Sequence, residues 1–434
     1  MNETPAPKRL VTTYIYFGIL VFLMGLASPS GYLTDISTSF MLKNQLHLGP
    51  SGVALFRVIT GAPGYVGFIF GLLRDQWNPL GRKDRGFFLV FAPVTTALLL
   101  IMAVAPLSFW SLVAGMLILG VSFHFIGAAY AGLIALVAQE RLMSGRLAVL
   151  WQSVATLPVM LSAFGGGLAA RYLHPQQTFL ILAGFNVAFF VIGLWKPAAV
   201  FRGLYDAPQA SRAHIVADLK RLVRHRAIYA PVLFWLLFSF APGSTTPLQY
   251  YFSEHLHAPD SLFGLWTGIF AAAFLPTFLL YGWLCTRMKF GTLLFWSTLI
   301  SVPQMVPMLF IATPAQSLWA AAVIGLMGGL VTAAIYDLGM RSCPPGLQGT
   351  LMMMLAAAYA LAVRLGDLLG VQIYQASPRY GFLYCVIAIT IVYALQLPVI
   401  WLVPKHIRDS REGQPDAQGD REMMAEIAEA TASV

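Results

Sequence analysis

The chain has 434 residues, 58% of them hydrophobic and only 10% charged, with a mean hydropathy of +0.72. That is too little charge to cover a soluble surface of this size, and the short alternating segments of a membrane β-barrel are missing, so the composition points to a polytopic helical membrane protein. The net charge of +9 at pH 7 admits nucleic acid or an anionic membrane surface as partners, and the placement of the basic residues decides between them.

Apolar segments of about 20 or more residues read as spans, and they predict twelve: 12–42, 51–73, 87–106, 108–137, 147–170, 177–195, 228–252, 261–284, 291–312, 317–341, 348–374 and 381–403. With the N-terminus cytoplasmic, 22 of the 27 Lys and Arg fall on that side; Lys43, Arg171 and Arg379 fall outside, and Arg57 and Arg364 lie within spans. This is the positive-inside bias. The basic residues therefore set orientation, nucleic acid is not an expected partner, and the expected location is the inner (cell) membrane with both termini cytoplasmic. Lys8 and Arg9 precede the first run as in a signal peptide, but no small-residue cleavage site follows, and an uncleaved first span is expected. Cys285, Cys343 and Cys385 lie at cytoplasmic span ends or inside a span, so no disulfide is implied.

In chain order, span 1 carries Asp35 near its external end, and Arg57 sits at a comparable height in span 2. A mutual ion pair and a contact to an anionic ligand are both open for them. The connection after span 2, "GLLRDQWNPLGRKDRG", places six charges within the twelve residues Arg74 to Arg85. His124 in span 4 could titrate or could pack as a satisfied polar group. Gln152, Asn186 and Gln304 read as interhelical hydrogen-bonding groups. The longest polar interruption, Lys196 to Arg226, contains "SRAHIVADLKRLVRHR", where Ile215, Leu219 and Leu222 stand at helical spacing among basic residues. It is expected to form an amphipathic helix on the cytoplasmic membrane surface.

Span 7 is interrupted by Pro242, Gly243 and Pro247 within "APGSTTPLQYY". Freed backbone groups with Ser244, Thr245, Thr246, Gln249 and Tyr250 make this the leading binding candidate, against a plain kink repaired by Ser and Thr. Charges inside a bilayer cost several kcal/mol unless paired or wetted. Asp337 stands four residues before Arg341 and suits a local pair, and Arg364 and Asp367 lie one turn apart in the outer half of span 11, a spacing that also favours a local pair. Arg57, His124 and Arg364 join the span 7 group as candidate substrate contacts, and Asp35, Asp337 and Asp367 are candidate proton-coupling sites. The small-residue runs "FGGGLAA" and "LMGGLVTAA" read as close helix packing.

The expected organisation is a six-helix bundle over 1–195, a cytoplasmic linker over 196–227, a second six-helix bundle over 228–404, and a polar tail over 405–434 expected to fray. The halves show internal similarity. At an offset of 210, Leu46-His47 falls on Leu256-His257, Ser51 on Ser261 and Phe56 on Trp266. Pro29 and Gly31 have counterparts in Pro242 and Gly243, and Gly71-x-x-x-Asp75 is echoed by Gly282-x-x-x-Thr286. Related halves of six spans each are a transporter plan. No His-Glu-x-x-His, nucleotide loop, nucleophile elbow or cysteine-ligand spacing occurs, so neither an enzyme, a cofactor, a metal nor ATP-driven transport by this chain alone is expected.

The connection after span 2 resembles the corresponding loop of the major facilitator superfamily at Gly71, Asp75, Gly81, Arg82 and Lys83, lengthened here and carrying Pro79. That lengthening, with "KNQLHLGPSGVALF", "APGSTTPLQYYFSEHLHAPDSLFG" and "CPPGLQGTLMM", resembles the folate-biopterin transporter family. The resemblance implies a twelve-transmembrane-helix, all-α fold of two bundles with pseudo-two-fold symmetry. It also implies that Asp75 caps a neighbouring helix end and latches the inner gate, with Gly71, Gly81, Arg82 and Lys83 around it. The chain departs from that family at Gly67-Phe68, where a Lys is usual, at "YAGLIALVAQE", and at Gln348, where Glu is usual. The function implied is secondary transport of a small organic solute, pterin- or folate-like or another organic anion, by alternating access, with protons a candidate coupling ion and a monomer as the default state. Two alternatives are transport of an unrelated metabolite or drug and a non-transporting pigment-delivery role, the latter because "LIALVAQERLMSGRLAVLWQ" resembles the bacteriochlorophyll-related branch of the superfamily.

Overall fold

The computed structural model describes residues 7–414 apart from 30, 32–33, 35–37, 39–40, 43–45, 49, 106–107, 173–174, 206–214 and 378. Asp35 lies outside the described residues. Every regular element among them is helical, as lipid demands of a chain whose backbone polar groups must be satisfied within each segment. Nine described helices are long and apolar enough to cross a membrane, and Arg226–Ser239 is a shorter apolar helix. Large side chains such as Val104, Trp110, Phe310 and Trp319 stay exposed on them, which is the surface a bilayer covers.

The chain divides into two compact units. The first comprises Met1–Glu140, Val154–Ile215 and Gly346–Met354; the second comprises Arg141–Ser153, Val216–Pro345 and Leu355–Val434. The division differs from a simple cut at the linker: the first turns of two long helices belong to the unit that does not hold the rest of them.

In chain order the main helices are α1 (Pro7–Ala27), α2 (Pro50–Thr60), α3 (Gly67–Gln76), α4 (Asp84–Val104), α5 (Phe109–Glu140), α6 (Ser144–Tyr172) and α7 (Pro175–Leu194). They continue with α8 (Ile215–Arg224), α9 (Tyr229–Ser239), α10 (Asp260–Leu284), α11 (Phe290–Ser301), α12 (Pro314–Arg341), α13 (Gln348–Gln375) and α14 (Gly381–Ala394). In the first unit, α4 packs against α5 and α7, and α1 against α7. Its core includes Leu99, Met102, Leu112, Leu119, Phe179 and Leu182. In the second unit, α10 packs along α12 and α11 against α12, around a core that includes Trp266, Ile324, Phe382 and Ile389.

Breaks fall where proline and glycine forbid a continuous ladder. Helix α1 ends two residues before Pro29 and α9 three residues before Pro242, equivalent places in the two halves. Span 2 runs as pieces around Pro63. The repeat extends to backbone detail. His47 and His257 both take left-handed conformations, with φ of 50° and 47°, and histidine is among the side chains enriched there. Each follows a wide helical turn with matching bonds, Leu46 N to Met41 O (3.0 Å) and Leu256 N to Tyr251 O (3.2 Å), and then Leu48 N to Leu42 O (3.0 Å) and Ala258 N to Phe252 O (2.9 Å). All five positions are offset by 210.

Two expectations change here. The apolar face of α8 is not Ile215, Leu219 and Leu222: Leu222 and Asp218 are buried, and the exposed stripe is Ile215, Leu219 and Val223. The tail does not fray as far as residue 414. Lys405–Asp409 is helical, Ile407 is buried, and Phe290 N bonds Ser410 O (3.0 Å). Its polarity, which reads as disorder in sequence, is instead spent on buried charged partners in the second unit.

Candidate functional site

At the end of α3, Arg74 lies buried between two carboxylates. Its Nη1 donates to Asp75 Oδ1 (2.7 Å), while Nε and Nη2 donate to Asp84 Oδ1 (2.5 Å) and Oδ2 (2.6 Å). Asp84 also accepts from Tyr205 Oη (2.6 Å), and burial, reinforced by the Asp84 charge, holds the Tyr205 hydroxyl well above its ordinary pKa. The guanidinium fits because α5 presents Gly132 to it: a Cβ there would lie 2.5 Å from Arg74 Cζ. Arg74, counted in the sequence among the residues that set orientation, is thus held in a buried bidentate pair. Arg85 is likewise engaged, donating to the last carbonyls of α7, Gly193 O (3.0 Å) and Leu194 O (2.8 Å).

Asp75, with a side chain only 1% exposed, caps α13. It accepts from Gly349 N (3.1 Å) and from Thr350 N (2.7 Å) and Oγ1 (2.6 Å), satisfying amides that the first helical turn cannot pair itself. The approach is close enough that a Cβ at Gly71 would collide with the backbone of Gly349. Nearby, Gln348 donates to Gln139 Oε1 (3.0 Å), a neutral pair that joins Gln348 to the "YAGLIALVAQE" stretch. Gly81 and Arg82 are exposed; Lys83 N bonds Asn78 Oδ1 (2.6 Å), and its Nζ stands 5.7 Å from the Tyr205 ring centroid.

The second unit builds the same arrangement from other parts. Arg341 donates to Asp337 Oδ1 (2.7 Å) and to Glu412 Oε2 (3.1 Å), and Tyr281 Oη donates to Asp337 Oδ2 (2.8 Å). Glu412 caps α6 by accepting from Gly145 N (3.0 Å) and Arg146 N (3.3 Å), with Arg146 Nε at 3.4 Å. Burial, then the Asp337 charge, pushes the Glu412 carboxyl above the usual carboxylate range, while Arg341 opposes that push. Tyr205, Tyr281 and Glu412 do not stand out in the sequence, and Asp84 does so only as one of the six charges between Arg74 and Arg85.

In the same unit, the break in span 7 is closed by Asp367 of α13. It accepts from Thr246 N (2.9 Å) and Oγ1 (2.8 Å), and from the Thr245 hydroxyl. Ser244 turns back onto Ala241 O (3.0 Å), and Gln249 and Tyr250 are exposed. Gly243, with φ of 105°, lets the chain pass where a Cβ would lie 2.5 Å from Cys385 Cβ. Arg364, one turn before Asp367, is exposed and makes no ion pair with any described residue. The same unit carries a chain of rings, Trp151–Tyr336 at 5.2 Å, Tyr336–Trp235 at 4.8 Å and Trp235–Tyr359 at 5.9 Å between centroids. Tyr359, five residues before Arg364 on α13, is half exposed.

Of the remaining expected site residues, Arg57 is exposed on α2. His124 is half-buried on α5, its Nδ1 2.7 Å from Gly120 O and its ring 5.3 Å from Phe70. Both belong to the first unit, whereas Thr245, Arg364 and Asp367 belong to the second. No set of three or more His, Cys, Asp or Glu suited to a metal occurs among the described residues.

The profile of the Major Facilitator Superfamily matches residues 143–367, more than half of the chain. The chain belongs to the Major Facilitator Superfamily. A folate-biopterin transporter of Synechocystis sp. is 24% identical over 448 residues, covering 97% of this chain and 87% of that protein. Among solved structures, FucP in its outward conformation matches with a TM-score of 0.70 at 13% identity, covering 92% of this chain and 100% of that one. The human organic anion transporter MFSD10 matches with a TM-score of 0.62 at 17% identity, over 91% and 100%. The chain is thus a multi-pass membrane transporter of small organic solutes, and its relatives are transporters rather than enzymes.

Proposed function

We propose that this transporter carries a small organic anion bearing a flat ring, of the pterin or folate kind, across the inner membrane by alternating access. The observation that carries this reading is Arg364: an exposed guanidinium within a predicted span, with no ion-pair partner among the described residues. Such a charge is costly in lipid unless a ligand or water meets it, and its planar fork suits a carboxylate. The half-exposed ring of Tyr359, backed by the buried Trp235, supplies an apolar face for stacking in the same unit. The whole-length similarity to a folate-biopterin transporter supports the ring chemistry.

Proton coupling is assigned to Asp367 rather than Asp337. Protonating Asp367 would loosen the Thr245–Thr246 closure of span 7, whereas protonating Asp337 would strip Arg341 of a buried partner. The test is binding and uptake of radiolabelled folate and biopterin by proteoliposomes. Binding should weaken at least about tenfold in Arg364→Ala, the loss of one charge-assisted hydrogen bond, and also in Tyr359→Ala. A pH-gradient dependence of uptake should vanish in Asp367→Asn. Wild-type protein that binds no ring-bearing anion would overturn the reading.

A further inference from the structure

Asp75 and Glu412 perform the same act on two different helices. Each places both carboxylate oxygens on the second and third amides of a long helix, Gly349 and Thr350 of α13 and Gly145 and Arg146 of α6. Each is held by a buried arginine that it shares with a second carboxylate, Arg74 with Asp84 and Arg341 with Asp337. Each second carboxylate takes a tyrosine hydroxyl, Tyr205 or Tyr281. In both cases the capped turn belongs to one unit and most of the helix to the other.

The sequence repeat would place the counterpart of the capping Asp75 in the connection after α10, at Thr286. There Thr286 Oγ1 only bonds Trp283 O (3.0 Å), and Arg287 lies over the exposed Trp283 ring at 3.9 Å. The role has passed to the tail. Glu412 N bonds Cys285 O (3.4 Å) and Gly413 N bonds Leu142 O (3.0 Å), while Arg341 Nη1 bonds Ser410 Oγ (3.0 Å). The segment thus lies over Cys285, whose side chain is buried beside Gly145, where a Cβ would stand 2.9 Å from Cys285 Sγ.

We propose that the C-terminal tail is a releasable latch in which Glu412 does for α6 what Asp75 does for α13, so that the transport cycle opens the second unit's end only when Glu412 leaves the first turn of α6. Glu412 is a positioning residue: it acts through α6 and touches no solute. An interaction that holds one state and not the other shifts their populations by its own free energy.

The native Cys285 reports release without any knowledge of the substrate, which separates this proposal from the reading of Arg364. In full-length protein carrying Cys343→Ser and Cys385→Ala, Cys285 should react slowly with a membrane-impermeant maleimide. In Glu412→Gln the rate should rise about tenfold or more, because the amide cannot accept from both Gly145 and Arg146. Glu412→Asp should fall between. Should Glu412→Gln fail to fold, Leu142→Cys with Gly413→Cys in the otherwise native sequence gives a second reading. Oxidising that pair should slow Cys285 labelling several-fold, and reduction should restore it. Equal labelling in wild type and a folded Glu412→Gln, or in the oxidised and reduced pair, would overturn the proposal.

Discussion

At the scale of single residues, the charged connection after α3 keeps Arg82 exposed but buries Arg74 and Asp84 against each other. The Arg74 guanidinium is 7% exposed and Asp84 2%, so removing one partner leaves an uncompensated buried charge. Asp84→Asn should destabilise the protein by about 3–5 kcal/mol, the usual cost of breaking a buried pair from one side, read as a lowered thermal midpoint in detergent. Tyr205→Phe, which removes one hydrogen bond to the same carboxylate, should cost only about 1 kcal/mol. Gly132→Ala should resemble Asp84→Asn, because its methyl group would stand 2.5 Å from Arg74 Cζ and push the guanidinium out. A midpoint for Gly132→Ala equal to wild type would show that Arg74 can vacate its notch freely.

At the scale of elements, the broken seventh span illustrates what sequence can and cannot say. Pro242, Gly243 and Pro247 announce a break, and Thr245 and Thr246 announce polar repair. The identity of the repairing partner is not legible, because Asp367 lies 121 residues beyond Thr246, and sequence pattern offers only its i, i+3 neighbour Arg364. Helical spacing favoured an Arg364–Asp367 pair; the structure turns Asp367 toward the threonines. Thr246→Val should therefore lower the thermal midpoint by the loss of one hydrogen bond to a half-buried carboxylate, about 1 kcal/mol. It should also slow uptake more than it weakens equilibrium binding of the ligand. Binding lost with stability unchanged would instead place Thr246 directly on the solute.

At the scale of the whole molecule, twelve apolar runs, the basic bias and the 210-residue repeat make the fold class legible, since lipid leaves a chain so few choices. The repeat is deeper than side chains suggest: the left-handed turns at His47 and His257 match bond for bond. Asp75's capping geometry lies within a recognisable spacing, whereas Glu412 reads as one acid in a polar tail, 267 residues from the amide it caps. Asp75→Asn is expected to shift the population inward and slow transport while leaving binding intact, checked by accessibility of cysteines placed on the inner side. Combined with Glu412→Gln, with which it shares no partner, the effects on labelling free energy should add within about 0.5 kcal/mol. The three native cysteines then acquire a use beyond packing. Cys285 lies under the tail, Cys343 bonds Gly339 O (3.3 Å) five residues before α13 begins, and Cys385 sits against Gly243 at the broken span. All three are buried thiols, so the unaltered protein carries a silent sensor at each joint. The order in which they awaken to a thiol reagent under ligand would time the opening of each joint.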